Sequence, residues 1–224
     1  MAGIERGPNP TAMIRLKEQL EEGRKAIEIS EGFDFRHAPF HPRIYRDLED
    51  AIDLHVHSIP DGYPRLLDDI EVVAQAKAAK MRAIVLKCHV SSSPDRAYIA
   101  QRAVGGGIEV YGILCLNTPV GGINPEAVKM AIRMGAKGVW MPSHWSAYDV
   151  QYMQRNRSLM GGDTIGSEIY EKTETILDGA GKMKPEVKEI LRLVLENDIM
   201  LSTGHLSLQE AHLLLDEAKA MGIK

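Results

Sequence analysis

From Ala51 onward the chain alternates between two hydrophobic periods. Ile52-Asp53-Leu54-His55-Val56-His57 places apolar and polar residues at a period of two, which predicts a strand over Ala51–His57. Leu54 and Val56 then face one side, and Asp53, His55 and His57 the other. Leu67–Lys80 has helical spacing, and Ala83–His89 reads as a second strand. Further strands are predicted over Ile108–Leu116, Gly138–His144 and Asp198–His205. Helices open at Ser93-Pro94-Asp95, a cap with proline in the first turn, and at Asn124-Pro125-Glu126, stopping at Gly135. The last helix opens on Ser207-Leu208-Gln209-Glu210, a capping box. Strands and helices in alternation predict an α/β fold, a parallel sheet with right-handed crossover helices.

Two stretches break the rhythm. Thr11–Ile29 predicts an amphipathic helix, with Met13, Leu16, Leu20 and Ile27 near one face and Lys17, Glu21, Glu22 and Lys25 on the other. Glu31–Pro42 follows as a connector holding Phe33, Phe35 and Phe40, and its His37 and His41 read as structural or surface groups. Residues 1–50 are thus expected to be an N-terminal helix and connector, and residues 51–224 the main domain. Within that domain the stretch after His144 is unusually long and rich in Tyr, Arg, Gly and Asp. Residues 146–184 are expected to form a lid or specificity loop leaving the carboxyl end of a strand, with a tight turn at Leu177-Asp178-Gly179. Arg155 and Arg157 there suit either an anionic substrate group or a solvated loop.

The helix-to-strand joints Ala79-Lys80-Met81-Arg82-Ala83 and Arg133-Met134-Gly135-Ala136-Lys137 resemble the closing Ala220-Met221-Gly222-Ile223-Lys224, which has no strand behind it. A barrel takes eight parallel strands, so three further units would need about 90 residues. The expectation is a TIM-barrel-like (β/α)8 fold that is incomplete, with about five β/α units. The edges of its first and fifth strands would be unpaired, and inner positions including Ile84 and Leu201 partly wet. Closure by a partner copy or by a longer chain is expected.

Composition narrows the function classes. Of 224 residues 44% are hydrophobic, which excludes a disordered chain, and a net charge of −4 argues against nucleic acid or an anionic membrane surface. Charged residues interrupt the first twenty positions, so they do not read as a signal peptide. Cys88 and Cys115 are too few for a disulfide framework. A cytoplasmic protein that acts on a small molecule, with a homo-oligomer as a possible assembly, is expected.

The chemistry gathers at the strand ends. The first strand ends His55-Val56-His57, the second Lys87-Cys88-His89, the fourth Ser143-His144 and the fifth Thr203-Gly204-His205, so five of the eight histidines lie at or beside a strand's C-terminal end. In a parallel barrel those ends converge on one mouth. Neutral imidazoles there are ligands for zinc and similar ions. Lys87 shares a face with His89, and a salt bridge with Asp53 is an alternative use of it.

These four strand ends in order resemble the amidohydrolase-like superfamily of metal-dependent hydrolases, and more closely an uncharacterised bacterial and archaeal branch of it, over about Ala51–Lys224. The resemblance implies that His55 and His57 are first-strand metal ligands and His205 the fifth-strand ligand. The superfamily plan has a lysine on the fourth strand, often carbamylated between two metals, where this chain has His144. Its strand-end lysine is Lys87, on the second strand. The plan's sixth-strand histidine and eighth-strand aspartate, the usual general base, would fall beyond Lys224.

The implied activity is hydrolysis of an amide, ester or related bond, using one or two divalent ions, zinc foremost. His55, His57, His89 and His205 would hold metal, and Lys87 and His144 would act on the substrate. Phosphoesterase or metal-dependent decarboxylase chemistry on the same scaffold, and a catalytically silent metal-binding fragment, are the alternatives.

Overall fold

The computed structural model describes residues 18, 21, 47–155 and 172–223. The expected helix 11–29 lies outside them except for Glu18 and Glu21, which are helical and exposed. His37, His41 and Arg157 also lie outside. No helix among the described residues is long and apolar enough to cross a membrane.

The predicted alternation is present. In order, the elements are β1 (Ile52–Val56), α1 (Asp69–Ala78), β2 (Ala83–Leu86), α2 (Pro94–Ala103), β3 (Glu109–Gly112), β4 (Leu114–Cys115), a 3₁₀ turn at Thr118–Val120 and α3 (Pro125–Arg133). They continue with β5 (Gly138–Trp140), α4 (Ala147–Arg155), α5 (Pro185–Asn197), β6 (Met200–Ser202) and α6 (Leu208–Met221). Every strand pair is parallel.

The third predicted strand is divided. β3 pairs with β2 and β4 pairs with β5, so Ile113 hands one chain segment from a three-stranded sheet β1-β2-β3 to another, β4-β5-β6. Five strand segments therefore follow one another in sequence order. Among the described residues β1 and β6 pair on one side only, and no closed barrel forms.

The division also splits the outer helical layer. Ile84, Leu86 and Val110 pack with Val73 and Ala76 of α1 and with Ala97 and Ala100 of α2. Leu114, Leu116, Val139 and Met141 pack with Val128 and Ala131 of α3, with Val187, Ile190, Leu191 and Val194 of α5, and with Leu214 and Ala218 of α6. The inner face is a small cluster of Val85, Ile113, Cys115 and Trp140. The expectation that Ile84 and Leu201 line a wet interior is therefore corrected. Both lie on the outward parity, Ile84 fully buried and Leu201 partly buried against the larger core.

The caps follow the sequence in two of three places. Asn124 accepts from the Glu126 and Ala127 amides, and Ser207 with Glu210 forms the full capping box. Ser93 does not cap α2. Its hydroxyl donates to the Leu86 and Ile113 carbonyls and accepts from the Ile113 amide, pinning β2 to the break between β3 and β4. Of the expected loop 146–184, residues 146–155 and 172–184 are described, and both parts carry secondary structure or core contacts. The loop begins with α4, and from residue 172 onward it packs Ile176 into the core. The turn after Leu177 is present, closed by a Leu177–Met183 bridge and by Asp178 Oδ1 accepting from the Ala180 and Lys182 amides.

Close packing at the strand break generates a prediction. A Cβ on Gly112 would stand 2.3 Å from the Ser93 carbonyl carbon and the Pro94 nitrogen, both backbone atoms. Gly112→Ala is expected to lower unfolding stability by about 3 kcal/mol, the upper range for overpacking, in a urea titration. An unchanged midpoint would show that α2 can retreat from β3.

Candidate metal centre

Strand parity carries five histidines to one place. The inward positions of β1 end in His55 and His57, those of β2 continue to Lys87 and His89, and the stretches after β5 and β6 bring His144 and His205. Their rings form an unbroken arc, with centroid separations of 4.9 Å for His55–His57, 4.5 Å for His57–His89, 4.5 Å for His89–His144 and 5.0 Å for His144–His205. Tyr63 lies against the middle of the arc, 5.3 Å from His89 and 4.9 Å from His144. All six residues singled out in the sequence thus meet at the strands' C-terminal ends. His89, the one nearest to overshooting its strand, is only 3% exposed.

Backbone contacts set this arrangement. The Lys87 amide donates to the Val56 carbonyl, extending the β1–β2 ladder past the end of β2. The His205 amide donates to the Pro142 carbonyl, and the Ser146 hydroxyl donates to the His205 carbonyl at 2.6 Å. Gly204 makes that approach feasible. Its φ is +57°, and a Cβ there would lie 2.2 Å from the Met141 carbonyl oxygen.

Four of the imidazoles have Nδ1 facing a protein oxygen. His57 Nδ1 lies 3.7 Å from Asp61 Oδ2, His89 Nδ1 is 3.0 Å from Ser143 Oγ, and His144 Nδ1 is 3.0 Å from Asp149 Oδ2. His205 Nδ1 is 3.1 Å from the other Asp149 oxygen, though off the hydrogen-bonding direction. Each oxygen partner is itself held. Arg65 donates twice to Asp61 Oδ2, at 2.9 and 2.7 Å, and the Gly62 amide donates to Oδ1. Asn117 donates to Ser143 Oγ and accepts from its amide. At His89 and His144 this contact is a hydrogen bond, which fixes the tautomer and leaves Nε2 free, whereas at His57 the Arg65 guanidinium stands 3.4 Å from the same Nδ1. His55 Nε2 and His57 Nε2 face each other at 3.0 Å, and Lys87 Nζ stands 3.2 Å from His55 Nε2. At a Zn–N distance near 2.05 Å, two tetrahedral ligand nitrogens are about 3.3 Å apart, so this spacing suits a shared ion.

The carboxylates offer a second set of donors. His57, Asp61 and His89, and separately His144, Asp149 and His205, each present ligand atoms within 4.8 Å of one another. Asp61 and Asp149 escaped the sequence reading. Asp61 lies four residues past an H-x-H, and Asp149 lies in the first turn of a helix expected to be loop. Neither has a strand-parity signal. Ser143 and Asn117 were equally hidden, since their task is visible only once β4 and β5 are paired.

The electrostatics favour neutral imidazoles beside charged carboxylates. Burial, aided by the Lys87 and His57 charges, lowers His55 from 6.5 to about 4. Burial also lowers His57, against the pull of Asp61, and lowers His89 far below the usual histidine range. Burial works against charge on Asp149, but the contacts with His144 and His205 outweigh it and bring its pKa to about 2. Lys87 is 2% exposed, and burial lowers its pKa. It makes no ion pair with Asp53, whose Oδ1 instead accepts from the His55 amide, so the salt-bridge alternative is set aside.

Two predictions follow from this wiring. Unfolded histidines take up protons below 6.5, while folded His55 refuses one until about pH 4 and His57 and His89 are shifted the same way. For chelator-treated protein, stability is therefore expected to hold above pH 6.5 and to fall from there toward pH 4. Proton uptake on unfolding in that window, measured by calorimetry in buffers of different ionisation enthalpy, checks it; none would refute the burial of neutral rings. Second, Asn at position 149 offers one acceptor oxygen where two imidazoles each face one. Asp149→Asn is expected to weaken zinc binding by about 10–100-fold in competition with a chromophoric chelator, the usual cost of losing an orienting carboxylate. Unaltered affinity would place the ion away from His144 and His205.

Comparison with known proteins adds a family and little chemistry. No curated protein matches the chain. Two crystal structures of a candidate deoxyribose-phosphate aldolase from Toxoplasma gondii ME49, one in the apo form, overlap 80% of this chain at 15% identity. They do so with TM-scores of 0.29 and 0.30 over 73% and 69% of their own chains, a likeness too low to bear on fold or activity. Residues 50–224 match the model described as a family of unknown function, DUF6282. That span covers the described strands and helices from β1 onward and every residue of the histidine arc, and the chain belongs to the DUF6282 family.

Proposed function

We propose that the protein is a metal-dependent hydrolase of small molecules, as the resemblance of its four strand ends to the amidohydrolase-like superfamily implies, on an incomplete TIM-barrel-like scaffold. The observation that carries this reading is the arc of five imidazoles, four of them with Nδ1 against a protein oxygen. A surface cluster of histidines has no reason to orient its rings in common. A group that shares metal ions does.

The donor set fits zinc or a similar divalent ion: imidazole nitrogens, the buried Asp61 and half-buried Asp149 carboxylates, and no thiolate among the grouped ligand atoms. His55, His57, His89 and His205 would hold it, with Asp61 and Asp149 orienting rings or adding ligands. Bound there, the ion would supply Lewis acidity toward a carbonyl or phosphoryl oxygen and make water nucleophilic near neutral pH.

The chain's own groups have distinct tasks. Lys87, beside His55, can donate to an oxygen that gains negative charge during attack. His144 is held by Asp149 at Nδ1, so its Nε2 can take a proton from the attacking water and pass it to the leaving group. This pair offers a base within the chain, in place of the eighth-strand aspartate of the superfamily plan. Tyr63, packed on His89 and His144 with the Arg65 guanidinium 5.4 Å from its ring centre, narrows the access to both histidines.

The test is zinc-loaded protein against a panel of amide, ester and phosphate ester substrates. One substrate class is expected to turn over in a zinc-dependent manner, and His57→Ala/His89→Ala is expected to lose about 1000-fold or more, the several kcal/mol a catalytic ion contributes. Absence of bound metal after zinc loading, or turnover unaffected by the double substitution, would overturn the reading.

A further inference from the structure

The outer faces of β2 to β5 are covered by helices, whereas that of β1 is largely bare. Ile84, Leu86 and Val110 lie beneath α1 and α2, and Leu114, Leu116, Val139 and Met141 beneath the second group of helices. On β1 only Val56 reaches the first group. Ile52 is 48% exposed and Leu54 49% exposed, and Leu48, in the helical turn that leads into β1, is 36% exposed. Two large apolar side chains on a strand that is paired on one side only among the described residues are a liability unless something covers them.

We propose that the amphipathic segment of residues 11–29 docks as a helix on this outer face of β1, placing Met13, Leu16, Leu20 and Ile27 against Leu48, Ile52 and Leu54. At 100° per residue those four apolar positions fall within a sector about 60° wide, centred roughly opposite Glu18. Glu18 and Glu21 are helical and exposed, as this orientation requires. The size is right, since a helix of about 19 residues is about 28 Å long and a five-residue strand about 17 Å. Reach is not limiting. The intervening residues 30–46, about 17 of them, can span up to about 55 Å, and they enter the patch directly through helical residues 47 and 48. The occupant is thus the segment already tethered beside the bare face. This assignment does not depend on the proposed hydrolase chemistry.

The test uses the full chain with Leu54→Cys as a reporter. Cys88 and Cys115 are buried, so the new thiol dominates reaction with a small aromatic disulfide reagent. Slow labelling is expected, accelerating by about tenfold or more when Leu16→Asp/Leu20→Asp releases the helix, and unchanged by Glu18→Gln on the opposite face. Labelling as fast as a free thiol with the apolar stripe intact would overturn the proposal. So would protection that disappears on dilution and ignores the stripe, which would identify a second copy as the cover. If the double aspartate variant does not fold, deletion of residues 1–29 supplies the same comparison, with cooperative thermal unfolding as the check that the α/β core persists.

Discussion

Parallel pairing in register is the constraint on which this molecule depends. Side chains alternate across a strand, so each ladder that locks β1 to β2, or β5 to β6, decides a whole row of inward and outward positions at once. Shifting β2 by one residue against β1 would send Ile84 and Leu86 inward and Lys87 and His89 into the helical layer. The helical core and the histidine arc are therefore opposite faces of one decision. The burial of Ile84 and Leu86 under α1 and α2 holds Lys87 and His89 in place.

Once the rings meet, their charge state follows from solvation. His55, His57 and His89, crowded near Lys87, resist protonation, because burial removes the water that would stabilise the charge and each neighbouring cation raises the cost. The carboxylates move the opposite way. Asp61 and Asp149 stay ionised because Arg65 and the imidazoles face them. Rings that resist protonation beside ionised Asp61 and Asp149 form an environment that favours a cation at the ring nitrogens.

The loop that supplies Asp61 is braced from outside. Arg96 of α2 forms a half-buried pair with Asp69, donates to the Pro60 and Ser58 carbonyls, and meets a Ser58 hydroxyl that donates to the same Asp69. This network joins the start of α1, the start of α2 and the stretch leading to Asp61. A site on strand ends needs such bracing, because its ligands leave the ladder just where they are used.

Much of this was legible in the residue order. The period-two pattern of Ile52–His57, the repeated strand-end histidines and the turn chemistry at Asn124 and Ser207 act over a few residues, and local rules were enough to place five strands and the six residues Lys87, His55, His57, His89, His144 and His205 at one end of them. Contacts made across the fold were not legible. Ser93 looked like a helix cap and instead ties β2 to the break at Ile113, because two carbonyls that only pairing brings close compete for its hydroxyl. Asp149 looked like loop and became the shared partner of two histidines from different strands, and Ile84 and Leu201 proved to face outward. Periodicity fixes which residues share a face, but only packing decides which face is inside, and only the assembled sheet decides which distant oxygen meets which ring.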